Sequence, residues 1–173
     1  GKSILTSEKH NTGTDRIFEA YEQLNKKDID YVINLQGDEP LIDKKDIINL
    51  KNFAIKKNSK IATLACKLEN KNFEDESVVK VRCENNLEKN KISPAKEFIR
   101  FVDKKNSKNI YHHIGIYIYK VSILKKFVSM EQSSNEINLR LEQLRALDNN
   151  IEIDVVWAKS SSIGVDTQED YIE

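Results

Sequence analysis

Apolar residues recur along the chain with two periods, one typical of helices and one typical of buried strands. In order, the pattern predicts a helix at 14–24, a strand at 31–35, a helix at 47–54, strands at 61–68 and 114–119, a helix at 139–147 and a strand at 151–158. Strands that alternate with helices are typical of α/β folds. The hydrophobic pattern therefore predicts an α/β domain.

Residues 70–108 are rich in Lys, Asn and Glu and interrupt this alternation. Within them, only a short strand at 78–82 and an ambiguous apolar stretch at 98–102 stand out. We therefore predict an excursion from the main sheet over about 70–112. Near the C-terminus, Thr167 and Asp170 have the spacing of a capping box, which predicts a helix that begins there and is cut short at Glu173.

Length and charge narrow the possible functions. A chain of 173 residues with an apolar fraction of 39% fits one domain, 1–173. Lys plus Arg and Asp plus Glu are both 28, so neither nucleic acid nor an anionic membrane is an expected partner. Cys66 and Cys83 lack the spacing of a zinc site or a disulfide framework, and no segment has the length and apolarity of a membrane span or signal peptide. We therefore expect a cytoplasmic protein.

A polar turn, Gln36-Gly37-Asp38-Glu39-Pro40, follows the first predicted strand. Ligands of open α/β sheets bind beyond the carboxyl ends of strands, so Asp38 is placed where it can bind a hard cation that bridges phosphate oxygens. Asp166 follows the last predicted strand and is a second candidate ligand for the same ion. From spacing alone, a turn at Asp38 and a helix cap at Asp166 explain these residues about equally well.

The segment His10-Asn11-Thr12-Gly13-Thr14-Asp15-Arg16 leads into the first predicted helix. Free amide groups, hydroxyls and a guanidinium at a helix start can bind polar or anionic parts of a ligand. Helix capping explains Thr12 and Thr14 equally well. Arg16 can pair with Glu19 or Glu8 on the surface. From the residues alone the structural interpretation is favoured.

The adjacent histidines His112 and His113 precede a predicted strand, and neighbouring residues of a strand face opposite sides. This disfavours a metal site built from both. Glu142 and Arg145 are spaced to pair on one helix. Arg100, within an apolar stretch, can bind a carboxylate or extend into solvent. A structural role explains a histidine at this position at least as well as ligand binding. For Glu142, Arg145 and Arg100 both interpretations stay open.

Six segments, in this order, resemble the pattern of CMP-Kdo synthetases (3-deoxy-manno-octulosonate cytidylyltransferases): HNTGTDR, VINLQGDEPLI, VVKV, HHIGIYIY, LEQLRAL and GVDTQED. The ordered set is far more specific than any one segment. It extends from His10 to the end of the chain and is weakest at 84–108. The resemblance implies a nucleotide-diphospho-sugar transferase fold, Rossmann-like, with a mixed, mostly parallel twisted sheet flanked by helices, in a homodimer.

The resemblance also implies a reaction. The 2-hydroxyl of the eight-carbon acid sugar Kdo attacks the α-phosphate of CTP, pyrophosphate leaves, and CMP-Kdo is formed for lipopolysaccharide biosynthesis. This chemistry needs a nucleophile held in line, Mg²⁺ to neutralise phosphate charge, and donors around the leaving group. The implied partners are CTP and Kdo.

The matching positions give the site that the resemblance implies. Asp38 and Asp166 match the magnesium ligands, which are also the catalytic pair. The implied nucleotide-binding residues are His10, Thr12, Gly13, Thr14, Asp15, Arg16 and Gln36. The implied sugar-binding residues are Arg100, His113, Tyr117, Glu136 and Glu142, with Arg100 on the sugar carboxylate. The excursion at about 70–112 is expected to take part in sugar binding or dimerisation.

The chain departs from the family pattern in two places. The family opens with a strand and a basic loop of the form IPARxxSTRLPGKPL, and nothing comparable precedes Gly1, so we expect an N-terminally shortened domain that is inactive by itself. On the sugar side, Ile99 stands for the Ser of a Phe-Ser-Arg stretch, and Leu139 for an acidic residue. The alternatives are a cytidylyltransferase for another acid sugar, such as an amino-Kdo or a nonulosonic acid, and a non-catalytic dimerising module.

Overall fold

One six-stranded sheet organises the part of the chain that the computed structural model describes, residues 3–37 and 41–159. Its strands are β1 (Tyr31–Asn34), β2 (Ile61–Cys66), β3 (Lys80–Cys83), β4 (Ile92–Ile99), β5 (Ile110–Lys120) and β6 (Ile153–Trp157). The helices are α1 (Gly13–Leu24), α2 (Lys44–Lys57), α3 (Leu87–Asn90), α4 (Val121–Val128), α5 (Ser134–Leu139) and α6 (Leu144–Asp148). The predicted α/β class is confirmed.

The strand order is β1-β5-β2-β6-β4-β3, and β3 also pairs with β5. The sheet is mixed, as predicted, but among the described strands only β2 and β6 pair in parallel, and the other pairings are antiparallel. The expectation of a mostly parallel sheet is therefore corrected. β1, β2 and β6 do run in one direction, as the alternation predicts, but β5 lies between β1 and β2 in the opposite direction.

Helices cover both faces of the sheet. The side chains of β5 alternate between these two faces and contact both helical layers. Tyr117 and Tyr119 face the layer that contains α4, where the Phe127 ring centroid lies 6.0 Å from that of Tyr119. On the opposite face, Ile116 packs in the cluster that contains Leu50 of α2. Leu50, Ile116 and Phe127 are fully buried, and each such side chain stabilises the fold by about 1.5–3 kcal/mol.

The segment predicted as an excursion contributes two strands to the sheet itself. β3 pairs with β4 and β5, and β4 pairs with β6. β4 was not predicted as a strand, because the small residues Ser93 and Ala95 occupy two of its buried positions and Pro94 lies between them. The expected part of this segment in sugar binding or in the dimer interface stays a prediction.

The uninterrupted helix predicted over 139–147 is wrong, because a turn separates α5 from α6. Arg140 adopts the left-handed conformation, with φ 52° and ψ 48°. The backbone N–H groups of Arg140 and Leu141 both donate to the Glu136 carbonyl, which closes α5. The helix predicted from Thr167 lies outside the described residues. Within the described ranges, no helix has the length and apolarity needed to cross a membrane.

Candidate active site

The carboxyl ends of β1, β2 and β6 meet the start of β5 at one edge of the sheet. Gln36 follows β1 at this edge, and its amide lies over Gly115 of β5, where an added Cβ would come within 3.7 Å of it. Asp38, two positions after Gln36, lies outside the described residues, as do Glu39 and Asp166. The metal-binding role of Asp38 and Asp166 therefore stays a prediction.

The described segments that lead to the two predicted ligands leave the sheet at this same edge. Residues 36–37 follow β1, and residues 158–159 follow β6, which runs in the same direction as β1. Two carboxylates carried by such segments fit the preference of a hard cation for oxygen ligands.

A bulge in β5 shapes the site, and Thr63 of β2 holds it. The register of β2 and β5 shifts after Thr63. Its hydroxyl lies 2.8 Å from the Ile116 carbonyl oxygen, 3.1 Å from that of Ile114 and 3.0 Å from His113 Nε2. Because the hydroxyl has one hydrogen, which it donates to a carbonyl, it accepts the hydrogen bond from His113 Nε2–H.

His113 is a neutral, packed ring in this environment. Its ring centroid lies 5.1 Å from that of Phe98 and 5.5 Å from that of Tyr117. Burial, with a smaller contribution from the charge of His112, lowers the pKa of His113 to about 3. His112 faces the opposite side of the sheet, as predicted, beside Lys80 on the neighbouring strand. His113 therefore acts near pH 7 as an uncharged hydrogen-bonding group.

The start of α1 combines capping with open space. Thr12 is the N-cap, and its hydroxyl accepts the Asp15 N–H at 3.3 Å and donates to Asp15 Oδ2 at 2.8 Å. The buried Thr14 hydroxyl lies 3.4 Å from the Tyr119 hydroxyl. Among the described residues, apart from the neighbours of Gly13 and the backbone of its own helix, no atom lies within 4 Å of a Cβ built at Gly13. The backbone at the start of α1 is therefore accessible to a ligand.

His10 and Arg16 fasten the preceding segment to α1. His10 Nε2 bonds to the Glu19 carboxylate, which also accepts the Ser7 N–H at 3.0 Å. Arg16 Nη1 donates to the Ser7 carbonyl at 3.1 Å. Arg16 thus has a structural contact, but with a backbone carbonyl rather than with Glu19 or Glu8 as predicted. The nucleotide-binding role of His10 and Arg16 stays a prediction.

A cleft of about 430 Å³ opens between the start of α1 and the α5–α6 region. Its lining residues are Asn11, Thr12, Gln132, Glu136, Ile137, Arg140, Leu141 and Glu142. The structure thus brings Thr12, from the predicted nucleotide group, together with Glu136 and Glu142, from the predicted sugar group. Arg140 was not predicted to line a site, although it directly precedes the LEQLR segment.

Glu136 is engaged within the fold. Arg145 donates from Nη2 to Glu136 Oε1 at 2.6 Å and from Nε to Oε2 at 2.8 Å, and both side chains are buried. Burial by itself would raise the pKa of Glu136, but the Arg145 bonds outweigh burial and the pKa is lowered. Arg145 therefore pairs with Glu136, which corrects the predicted pair between Glu142 and Arg145.

Two buried polar atoms of the predicted sugar group lack a hydrogen-bond partner among the described residues: Tyr117 Oη and Glu142 Oε1. Burial raises the pKa of Glu142, although the Thr14 and Thr12 hydroxyls oppose this shift. Burial also raises the pKa of Tyr117 well above its ordinary value, and the charge of Glu142 adds to the effect. A buried polar atom without a hydrogen bond costs free energy unless a water or a ligand binds it. The two atoms therefore indicate a binding site.

Arg100 donates to three backbone carbonyls: from Nε to Leu139 at 2.9 Å, from Nη1 to Glu76 at 2.9 Å and from Nη2 to Arg140 at 3.3 Å. These bonds join the end of β4 to the end of α5. The predicted contact between Arg100 and a sugar carboxylate is not tested by them and stays a prediction.

Comparison with known proteins gives consistent matches. A family model described as Cytidylyltransferase matches residues 1–153. The 3-deoxy-manno-octulosonate cytidylyltransferase of Thermodesulfovibrio yellowstonii is 43% identical over 98% of this chain and 71% of its own length. That of Bartonella tribocorum is 38% identical over 96% of this chain and 69% of its own length.

Solved structures agree with these relatives. A CMP:2-keto-3-deoxy-manno-octonic acid synthetase complexed with CTP superposes with a TM-score of 0.86 at 30% identity, over 99% of this chain and 70% of that chain. An apo UDP-glucose pyrophosphorylase superposes with a TM-score of 0.68 at 14% identity, over 98% of this chain and 60% of that chain, which shows a shared fold alone.

Proposed function

The chain belongs to the cytidylyltransferase family and, within it, to the 3-deoxy-manno-octulosonate enzymes, and we propose that it transfers CMP from CTP to this eight-carbon acid sugar. The observation that carries the proposal is the 43% identity to a relative of this name over 98% of the chain. The cleft beside the start of α1, which Glu142 lines with an unpartnered oxygen, supports it.

In the proposed reaction the 2-hydroxyl oxygen of Kdo attacks the α-phosphorus of CTP. The bond from this phosphorus to the bridging oxygen breaks, pyrophosphate leaves with that bond's electrons, and the hydroxyl proton passes to solvent. The protein forms no covalent intermediate, so its main contribution is to hold the hydroxyl in line with the phosphate.

We assign the sugar-orienting hydrogen bonds to Tyr117 and Glu142. The raised pKa of Tyr117 keeps its hydroxyl protonated, so it can both donate to and accept from a sugar hydroxyl. The unpartnered Oε1 of Glu142 is available to a second hydroxyl. His113 and Thr63 fix the bulge that positions Tyr117. The open backbone at Gly13 is assigned to the nucleotide.

Asp38 and Asp166 are proposed to hold Mg²⁺, which when bound neutralises phosphate charge. The segments leading to them leave the sheet at one edge, and two carboxylates are the donor type that Mg²⁺ prefers. Asp38→Asn and Asp166→Asn are each expected to weaken magnesium-dependent CTP binding, measured by calorimetry with and without EDTA. Unaltered binding in both variants would contradict the assignment.

A homodimer, a cytoplasmic location and a role in lipopolysaccharide biosynthesis are parts of the same proposal. They rest on the family resemblance, and the burial of both cysteine thiols is compatible with a reducing compartment.

The decisive assay is pyrophosphate release from CTP and Kdo with Mg²⁺. It compares this chain with a version extended by the basic, glycine-containing segment that opens the family pattern. Release in either version supports the proposed transfer. Release only with an amino-Kdo or a nonulosonic acid would assign another acid sugar, and silence with every sugar would favour a non-catalytic module.

A further inference from the structure

The guanidinium predicted to bind the sugar carboxylate is bound to the protein itself. Nε, Nη1 and Nη2 of Arg100 each donate to a backbone carbonyl, those of Leu139, Glu76 and Arg140. A bidentate carboxylate contact needs two parallel N–H groups on one side of the fork. Three of its five N–H groups are thus engaged, so Nε–H is not available to a carboxylate and one N–H remains on each Nη.

Lys80 reinforces the same arrangement from the interior. Its side chain is fully buried, and Nζ donates to the carbonyl of Arg100 at 2.6 Å and to that of Asp75. A buried ammonium is costly, and charge-assisted bonds to carbonyls offset part of that cost. Lys80 and Arg100 thus join residues 75–76, the end of β4 and the end of α5. We call this set of bonds the carbonyl brace.

The carbonyl brace ends at Arg140. This residue has φ 52°, which is uncommon for an amino acid other than Gly, Asn or Asp. Its carbonyl accepts from Arg100, and the preceding carbonyl, of Leu139, also accepts from Arg100. The Arg140 side chain lines the cleft. Its guanidinium forms no hydrogen bond or ion pair with the described residues.

Neither acidic residue that lines the cleft forms an ion pair with Arg140. Glu136 is neutralised by its bidentate pair with Arg145. Burial disfavours the ionised form of Glu142. The other lining residues are uncharged. The cleft therefore presents an exposed guanidinium without an ion pair among the described residues, beside polar groups suited to hydroxyls, which is complementary to an anionic, polyhydroxylated ligand.

We propose that Arg140 recognises the carboxylate of the acid sugar, and that Arg100 is a positioning residue that acts through Arg140. The inference rests on the proposed function, because it takes the sugar of that reaction as the occupant of the cleft. The recognition is charge-specific, since a guanidinium binds a carboxylate far better than a neutral amide.

The test uses Arg140→Asn, because Asn removes the charge while tolerating the left-handed conformation. Equilibrium binding of Kdo and of its neutral carboxamide is measured by calorimetry in the presence of CTP. We expect Arg140→Asn to weaken Kdo binding about tenfold or more and to leave carboxamide binding nearly unchanged. Arg140→Lys should restore part of the preference for Kdo.

The matched control is Lys56→Gln, which removes an exposed positive charge from α2 on the opposite face of the sheet. It should bind both ligands as the wild type does. If Arg140→Asn also behaves as the wild type does, the inference is overturned. Binding tests the inference and pyrophosphate release tests the proposed function, so charge-selective binding without turnover would support the first and count against the second.

A double-mutant cycle separates Arg100 from Arg140. If Arg100 acts through Arg140, Arg100→Gln weakens Kdo binding by itself but adds little to the loss in Arg140→Asn. Additive losses, or a charge-specific loss confined to Arg100→Gln, would show that Arg100 contacts the carboxylate directly and would overturn the proposal.

Discussion

The buried carboxyl group of Glu142 lacks one of the hydrogen bonds that it could accept. One of its oxygens has no partner among the described residues, and burial raises its pKa. Above the ordinary carboxyl pKa, the unfolded chain therefore releases this proton more readily than the folded chain does. Folding stability then decreases as the pH rises, and the cost of the buried group is largest at neutral pH.

We expect Glu142→Gln to increase the free energy of unfolding by about 1 kcal/mol at pH 7 and by less at pH 4. The same change should lower kcat/KM for the sugar, since it alters a proposed sugar contact. Urea denaturation at both pH values and the pyrophosphate assay measure the two effects. Glu131→Gln, at an exposed position, is the control. Destabilisation by Glu142→Gln at pH 7 would contradict the argument.

His113 gives the opposite dependence on pH. Its pKa is about 3 in the folded protein, whereas an unfolded histidine titrates near 6.5. Between these values the unfolded chain binds a proton that the folded chain does not. Stability is therefore fully present above about pH 6.5 and decreases as the pH falls.

We expect His113 to contribute a loss of about 2 kcal/mol in the free energy of unfolding between pH 7 and pH 5. His113→Gln retains an N–H donor for Thr63 and should remove this part of the loss. Urea denaturation of both proteins at the two pH values tests it. Equal pH dependence in wild type and variant would show that His113 is protonated in the folded state.

A buried ion pair connects α5 to α6. Arg145 binds Glu136 through two hydrogen bonds, and its guanidinium carbon lies 4.6 Å from the centroid of the Phe127 ring of α4. Removing one partner leaves the other charge buried and uncompensated, which costs more than the pair contributes. This connection also forms one wall of the cleft.

We expect Arg145→Met to lower the free energy of unfolding by about 3–5 kcal/mol. The double variant Arg145→Met and Glu136→Met should lose less than Arg145→Met alone, because no charge then remains buried. Urea denaturation of the two variants gives the comparison. A double variant that is less stable than the single one would mean that the other bonds of Glu136, such as the one it accepts from the Ser133 N–H in the capping box, outweigh the cost of its buried charge.

Hydrophobic periodicity predicted helices and strands correctly where burial follows a regular local pattern. It failed where contacts between distant segments determine the structure. The helix predicted at 14–24 and the strand predicted at 31–35 match α1 and β1 closely. The break between α5 and α6 was missed, because the left-handed Arg140 is held by Arg100, about forty positions away in the sequence. Such contacts between distant segments leave no local pattern in the chain.

For the candidate site, ordered motifs predicted which segments meet but not which atoms are available. Thr12, Glu136 and Glu142 do line one cleft. They differ in whether they can bind a ligand, because both oxygens of Glu136 bind Arg145 whereas one oxygen of Glu142 has no partner among the described residues. That difference depends on tertiary pairing, which spacing on a single helix predicted incorrectly.

At the scale of the whole molecule, the surface beside the cleft carries apolar residues that water does not favour. Phe101, Ile137 and Leu139 are 61%, 59% and 39% exposed. Arg100 connects the strand end next to Phe101 with the Leu139 carbonyl, so these side chains belong to one region. Exposed apolar surface of this kind is typical of interaction sites.

We therefore expect a dimer whose interface includes this region, with a mass in sedimentation equilibrium twice that of the chain. Replacing Phe101 and Ile137 together by Ser should shift the equilibrium towards monomer, because the interface loses its most exposed apolar side chains. Leu5→Ser, at a residue 93% exposed on the segment before α1, is the matched control. A wild type that remains monomeric at high concentration would contradict the dimer, and a dimer unchanged by the double replacement would place the interface elsewhere.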